Sequence, residues 1–266
     1  MPLLNDCYIS FLNLDHRKDR KEHIEKELER VGIKAVRTRG KLPQEFDLTN
    51  PKYRVMRDRT AGAIGCHYGQ IEIMEKALEL GKHAFVLEDD VHFCEDFNER
   101  LKYFENFLDN NSWAIAWLGG TVHNPAWWHK KNHSLDLWQC SCNLEKDFER
   151  TYDERIIRTY GAFCTYAYIV NVQWLNPILD FLEANVHLSM GIDWLMILLQ
   201  PHIPTYMMLP GMCRQIDNKS DIGQGDTIFS GFAALNGTFD NSKYWFQEKM
   251  QDFEPNSFFE KYPLCK

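Results

Sequence analysis

Three acidic residues stand in a row in the segment Leu87-Glu-Asp-Asp-Val91, directly after the apolar stretch 84–87. Their mutual repulsion is costly unless a cation or water compensates it, and a hard divalent ion binds one or two carboxylates together with substrate phosphate oxygens. The segment therefore predicts an Mg²⁺ or Mn²⁺ site, with Asp90 as main ligand and Glu88 beside it. The alternative is a solvated acidic turn that caps the following helix. His92 shares the face of Asp90 in an extended chain, so it is either a further metal ligand or a loop histidine.

A basic segment, Asn13 to Arg20, follows the first apolar stretch of the chain. Arg17 and Arg20 could face a diphosphate or a uracil-like base there. The alternative is a solvated basic start of a helix.

Two adjacent tryptophans, Trp127 and Trp128, lie in a segment that also contains proline and histidine. Two such rings are difficult to bury together in a loop. We expect one of them to stack on a sugar, whose C–H face matches a flat ring, or to shield the site. Packing of both rings in the core is the alternative.

Charge and motif content argue against several classes of function. The 266-residue chain carries 38 acidic and 30 basic residues, for a net charge of −8, and an acidic chain repels the phosphates of nucleic acids. No HExxH, P-loop or GxSxG motif occurs, and Gly223-x-Gly225 is too short for a dinucleotide-binding motif, so hydride transfer, P-loop hydrolysis and acyl transfer have no support. We therefore expect no nucleic acid partner.

The cysteines and the lengths of the apolar runs indicate the cellular compartment of the protein. The eight cysteines form no CxxC pair, and we find neither a basic signal region nor a run near the roughly 18–20 apolar residues that span a bilayer. The default is then reduced thiols in a reducing compartment. We expect a cytoplasmic protein without a transmembrane segment, with peripheral attachment to a membrane face left open.

Apolar strands and amphipathic helices alternate along the chain. The predicted strands cover residues 7–14, 84–87, 113–118, 161–170 and 203–209, and the predicted helices cover 19–31, 60–80, 95–109, 171–184 and 189–199. Thr60 is the predicted N-cap of the second helix, and loops with short helices are expected from Gly211 onwards. The alternation predicts one α/β domain over 1–266 with a mostly parallel sheet. The acidic segment then lies at the carboxyl end of a strand, where α/β proteins bind ligands.

Three motifs in order resemble glycosyltransferase family 25, which includes lipooligosaccharide and collagen galactosyltransferases. They are Asn13-Leu14…Arg17-x-Asp19-Arg20, similar to NL-x-x-R-x-D-R, Gly62-Ala-Ile-Gly-Cys66, similar to G-E-I-G-C, and Leu87–Val91, similar to L-E-D-D. Weaker matches are Tyr166–Val170, Ile192-Asp193 and Ser220–Ile222, so the resemblance covers about residues 7–222. Ala63 replaces a glutamate of the family, and Gly69-Gln70 stand where a Ser-His pair is usual.

The resemblance implies a GT-A-like, Rossmann-type fold, a metal-bound UDP-sugar and inversion at the anomeric carbon. The donor half would cover about 1–120 and the acceptor half about 121–222, with a tail over 223–266. UDP would bind near Asn13, Arg17 and Arg20, and Gly62 and Gly65 permit close backbone approach because they lack a Cβ. The implied reaction moves a hexose, galactose or glucose, to a glycan or a hydroxylysine-type acceptor, with Trp127 and Trp128 on the acceptor side.

Inversion by a single displacement needs a general base that takes the proton of the acceptor hydroxyl. Asp193 resembles the family's V-D position and opens an apolar helix, whose N-terminus suits a carboxylate. Its alternative role is the N-cap of that helix, and the base is then Asp89, Asp217 or Asp221. Two other functions stay open: a catalytically silent sugar- or nucleotide-binding protein of the same fold, and a metal-dependent phosphoesterase.

Overall fold

The centre of the protein is a seven-stranded β-sheet. The computed structural model describes residues 2–47, 49, 61–122, 155–159, 162–186, 191–200, 202–208 and 211–216. The strands in these ranges are β1 (Cys7–Asn13), β2 (Val36–Arg39), β3 (His83–Glu88), β4 (Val91–Phe93), β5 (Ile115–Trp117), β6 (Thr121–Val122), β7 (Ile156–Arg158), β8 (Ala162–Phe163), β9 (Ala167–Val170), β10 (Thr205–Met208) and β11 (Cys213–Gln215). The strand order in the main sheet is β2-β1-β3-β9-β5-β10-β7, while β4 pairs with β11 and β6 with β8.

Most strands of the main sheet share one direction. Strand β1 is parallel to β2 and β3, and β5 is parallel to β10. Strand β9 is antiparallel to both β3 and β5, so these two run the same way. Only the last strand in the order, β7, adds another antiparallel pair, with β10. The predicted α/β fold with a mostly parallel, Rossmann-type sheet is confirmed.

Helices pack against both faces of this sheet. They are α1 (Pro2–Asn5), α2 (Lys18–Val31), α3 (Ala61–Glu79), α4 (Phe97–Asp109), α5 (Val172–Asn185) and α6 (Ile192–Leu199). Side chains of α2 and α4 share one core with Phe85 and Leu87, whereas those of α3, α5 and α6 share the other with Ala84 and Val86. This alternation is the period of two expected in a strand buried on both faces. Among the described helices, none is long and apolar enough to cross a membrane.

The predicted helices and long strands agree with the structure to within a few residues, and two predictions need correction. The single strand predicted over 161–170 is two strands, β8 and β9, because Cys164 between them has a left-handed φ of 71° that a strand cannot contain. The tail from Gly211 was expected to form loops and short helices, but β11 pairs antiparallel with β4. Thr60, the predicted N-cap, lies outside the described residues.

Glu27 links helix α2 to strand β4 by hydrogen bonds. Strand β4 directly follows the acidic residues 88–90. Its carboxylate accepts hydrogen bonds from the guanidinium of Arg30 and from the backbone N–H of Phe93, at 3.0 Å for the latter, and lies 3.2 Å from Nδ1 of His92. Burial raises the pKa of Glu27, but the bonds from His92, Arg30 and Phe93 outweigh it and lower the pKa to about 2. The ionised carboxylate therefore stabilises the fold.

We predict that Glu27→Gln lowers the free energy of unfolding at neutral pH by about 1–3 kcal/mol, because the amide loses the charge-assisted bonds. The folded pKa lies below the ordinary value of 4.5, so this stabilisation is complete above about pH 4.5 and is lost as the pH falls towards 2. Urea unfolding from pH 7 to pH 3 should show the wild type approaching the variant. Glu22→Gln, on the exposed side of the same helix, removes only a surface ion pair with Lys26 and should differ from the wild type by much less than Glu27→Gln does. A constant difference between the wild type and Glu27→Gln across this pH range would contradict the assignment.

Candidate active site

Two parallel neighbours in the sheet bring the predicted site residues together. Strands β1 and β3 pair with Leu12 opposite Glu88, so Asn13 and the acidic segment 88–90 leave the sheet at the same edge. Helix α2 starts shortly after β1 and brings Arg20 to that edge. The cluster therefore lies at the carboxyl ends of parallel strands, the usual position of ligand sites in α/β folds.

Asn13 ties strand β1 to the acidic segment. Its side chain is buried, with 2% of the residue exposed, and Nδ2 donates to Oδ2 of Asp89 at 2.7 Å and to the backbone oxygen of Arg17 at 3.0 Å. Oδ1 accepts a hydrogen bond from Nε of Arg37 at 2.9 Å. The amide of Asn13 thus fixes Asp89, and its predicted contact with a nucleotide stays a prediction.

Arg20 lies between two of the three acids. Its Nη1 atom is 3.0 Å from Oδ1 of Asp89 and 3.0 Å from Oδ2 of Asp90, and only 11% of its side chain is exposed. One guanidinium charge is therefore shared by two carboxylates. The sequence places Arg20 near a bound diphosphate, and the structure places it against the acids that would adjoin such a group.

Glu88 is held by uncharged donors. Its Oε1 atom accepts hydrogen bonds from Nε2 of Gln70 at 2.9 Å, from Oγ1 of Thr165 at 3.4 Å and from the thiol of Cys66 at 3.6 Å. Its Oε2 atom lies 3.5 Å from Nε2 of Gln215, which is also 3.5 Å from Oδ1 of Asp90. The Gln215 amide thus lies between the carboxylates of Glu88 and Asp90.

The positive charge near the carboxyl groups of Glu88, Asp89 and Asp90 is too small to balance their negative charge. Burial, and then the charges of Asp90, Asp89 and Asp193, raise the pKa of Glu88 to about 8, although Arg20 opposes the rise. Burial also raises the pKa of Asp90 against the opposing charge of Arg20, and the charge of Asp89 adds to the rise. Such shifts at a sheet edge are typical of a site that binds a cation or a proton.

The donor atoms of the cluster fit a hard divalent cation. Mg²⁺ and Mn²⁺ prefer oxygen ligands, and Mg²⁺ in phosphate-binding sites takes one or two carboxylates together with substrate oxygens. Glu88 and Asp90 provide such a pair. Within the described residues, no group of three or more His, Cys, Asp or Glu side chains is arranged to hold a metal ion.

Asp193 belongs to the same neighbourhood. It is the second residue of α6, is partly exposed, and its charge contributes to the raised pKa of Glu88 and of Cys66, after burial and closer acids. The alternative role as N-cap is wrong, because Gly191 occupies that position with a φ of −58° and a ψ of 161°. Asp193 is thus within electrostatic reach of the predicted metal ligands.

His92 and Arg17 have protein partners. Nδ1 of His92 faces Glu27 at 3.2 Å, so a metal ion would have to be bound by Nε2. The guanidinium of Arg17 pairs with both carboxylate oxygens of Asp19, at 3.0 and 2.8 Å. The metal-binding and nucleotide-binding roles of these two residues stay predictions.

Gly62 and Gly65, the two glycines of the Gly62–Cys66 motif, lie near the start of helix α3. A Cβ atom on Gly65 would lie 2.3 Å from the backbone oxygen of Lys41, so glycine is required for the helix to pack against that segment. Gly62 is partly exposed in the first turn. Packing therefore explains Gly65 without a ligand, and nucleotide contact at either glycine stays a prediction.

The structure does not describe some of the predicted site residues, and it shows neighbours of Glu88 that the sequence did not predict. Trp127, Trp128, Asp217 and Asp221 lie outside the described residues. Sequence reasoning missed the amides and hydroxyl that surround Glu88, which are Gln70, Thr165 and Gln215. Gln70 had two signals: with Gly69 it stands where the family has a Ser-His pair, and it lies four residues after Cys66 on helix α3, so both share a face.

Comparison with known proteins identifies the family. A family model described as glycosyltransferase family 25 (LPS biosynthesis protein) matches residues 7–196, a range that contains Asn13, the acidic segment and Asp193. No curated protein matches the chain. The resemblance found in the motifs is thereby confirmed: the chain belongs to glycosyltransferase family 25 and is a glycosyltransferase.

Proposed function

We propose that this protein is an inverting, metal-dependent hexosyltransferase. It transfers galactose or glucose from a UDP-sugar to a glycan or to a hydroxylated, hydroxylysine-type protein acceptor. The observation that carries the proposal is the pair Glu88 and Asp90 at the carboxyl edge of β3, both with raised pKa values and both 3.5 Å from the amide nitrogen of Gln215. A pair of carboxylates short of positive charge is what a cation-bound diphosphate requires.

The acidic cluster divides into binding and supporting residues. Asp90 and Glu88, with His92 as a further candidate, would hold Mg²⁺ or Mn²⁺, which supplies positive charge to the diphosphate as the leaving group develops charge. Both oxygens of Asp89 already accept hydrogen bonds, from Asn13 and Arg20. We therefore propose that Asp89 organises the site and that another carboxylate acts as the base.

Asp193 is the residue we propose as that base. Its carboxylate takes the proton from the acceptor hydroxyl as the oxygen forms a bond to the anomeric carbon of the donor. The bond from that carbon to the diphosphate oxygen breaks on the opposite side, and the electron pair leaves with UDP. A single displacement of this kind inverts the anomeric configuration, and the position of Asp193 near Glu88 supports it.

UDP would bind along the edge formed by Asn13, Arg17 and Arg20, with the first turn of α3, which contains Gly62 and Gly65, beside it. Trp127 and Trp128 are the residues we propose for the acceptor sugar. The silent binding protein is the main alternative, and enzymatic turnover separates the two.

We propose a reducing compartment, the cytoplasm, as the location, with peripheral attachment to a membrane face compatible with it. None of the cysteines that the structure describes is paired in a disulfide. Burial raises the pKa of Cys7 and of Cys94 to about 12, so these thiols stay protonated and unreactive at neutral pH.

We predict that Asp90→Asn lowers metal-dependent turnover of UDP-galactose or UDP-glucose by at least about 100-fold at saturating Mn²⁺, because a metal supplies several kcal/mol of charge stabilisation. Donor hydrolysis without acceptor is the assay, since a silent binding protein shows none. Asp109→Asn, at an exposed position, should retain full turnover. Wild-type turnover by Asp90→Asn would refute the ligand assignment, and full turnover in EDTA would refute the metal.

The nucleotide pocket should distinguish bases as well as phosphates. We predict that calorimetry with Mn²⁺ ranks UDP at least about tenfold tighter than GDP, since one base-specific hydrogen bond contributes about 1.4 kcal/mol. CMP, which also lacks the second phosphate, should bind more weakly than UDP. Equal affinity for UDP and GDP, which carry the same diphosphate, would mean that the pocket recognises only phosphate.

We predict that Asp193→Asn lowers kcat for sugar transfer by about 10²–10⁴-fold and leaves UDP affinity unchanged, because a base acts only in the transfer step. The amide keeps the size of the side chain but takes no proton. Asp180→Asn, exposed on α5, is the matched control. If Asp193→Asn folds and transfers sugar at the wild-type rate, the base must be sought among Asp89, Asp217 and Asp221.

A further inference from the structure

The buried amide of Gln70 has protein partners at both ends. Nε2 donates to Oε1 of Glu88 at 2.9 Å and contacts Oγ1 of Thr165 at 3.1 Å, while Oε1 accepts a hydrogen bond from the Tyr168 hydroxyl at 2.8 Å. Gln70 and Tyr168 are both fully buried. When Glu88 is ionised, as it would be beside a bound cation, the amide cannot turn over, because its carbonyl oxygen would then face a carboxylate that has no proton to donate.

This arrangement gives the two oxygens of Glu88 different surroundings. Oε1 faces helix α3 and the uncharged donors Gln70 and Thr165. Oε2 faces the amide nitrogen of Gln215, which it shares with Asp90. The protein interior thus binds Oε1 of Glu88, whereas Oε2 lies on the side of Asp90.

Gln70, the hydrogen-bond partner of Glu88, is uncharged. A lysine or arginine at position 70 would neutralise the carboxylate and compete with any cation for it. A glutamine amide fixes the direction of the carboxylate through a hydrogen bond and leaves its negative charge available. Arg20, in contrast, forms ion pairs with Asp89 and Asp90.

We infer that Gln70 is a positioning residue, whose amide holds Oε1 of Glu88 so that Oε2, together with Asp90, is presented to a divalent cation. The inference rests on the metal dependence proposed above. Groups that orient metal ligands typically contribute about 10–100-fold to metal affinity. Removing the donor should therefore weaken cation binding by that factor even where the fold is unchanged.

Three variants separate positioning from packing. Gln70→Met removes the donor to Glu88 and leaves the Tyr168 hydroxyl without its acceptor. Tyr168→Phe leaves the donor in place and is the matched control. The double variant replaces both polar partners by apolar groups of similar shape, which restores much of the stability. Free Mn²⁺ is measured by electron paramagnetic resonance during titration of each protein at fixed UDP, with a protein-free blank, and thermal unfolding gives stability.

We expect Gln70→Met and the double variant to bind Mn²⁺ about 10–100-fold more weakly than the wild type, and Tyr168→Phe to bind within about twofold. The double variant should unfold at a higher temperature than Gln70→Met and still bind weakly. If Mn²⁺ affinity recovers along with stability, or if Gln70→Met binds as the wild type does, the positioning role is refuted while the metal site stands. A wild type that binds no Mn²⁺ refutes the metal site and this inference with it.

Discussion

Electrostatic crowding at the carboxyl end of β3 is the constraint on which the rest of the site depends. Three consecutive carboxylates leave the sheet there, and the guanidinium of Arg20, at 3.0 Å from Asp89 and from Asp90, cannot balance all of them. Burial, and then this imbalance, raise the pKa of Glu88 to about 8. Such a cluster is unfavourable for folding, so its persistence requires either compensation from the surrounding structure or a ligand of positive charge.

Compensation from the structure comes from elements far apart in the chain. Asn13 of β1 fixes Asp89 by a 2.7 Å hydrogen bond, and Glu27 of α2 fixes the strand that follows Asp90. The backbone oxygen of Asp90 accepts a hydrogen bond from the N–H of Ile216, just after β11, at 2.9 Å. The acidic turn is therefore held in place by the packed core around it, as is usual for functional sites that are locally unfavourable.

The elements that the sequence predicts well are those whose signal is local. Buried strands such as β1 and β3 are continuous apolar runs, and helix α2 has an apolar stripe that ends at Gly32, whose φ of 74° suits glycine. Strands β4 and β11 are three residues each, and each has its ladder partner in a distant part of the chain, so neither has a local pattern. Gln70 and Thr165 are hidden for the same reason, because their contacts with Glu88 join residues 18 and 77 positions apart.

The three acids also show why residue type alone does not assign roles within a site. Both oxygens of Asp89 accept hydrogen bonds, one from the amide of Asn13 and one from Arg20, which leaves this carboxylate as a structural link between β1 and α2. Glu88 and Asp90 instead share one amide nitrogen of Gln215, at a distance where the bond is weak. A cation competes easily with a weak neutral donor and poorly with a guanidinium. Because Arg20 lies 3.0 Å from Oδ2 of Asp90, the atoms that would bind the proposed cation are Oε2 of Glu88 and Oδ1 of Asp90, the two oxygens beside Gln215.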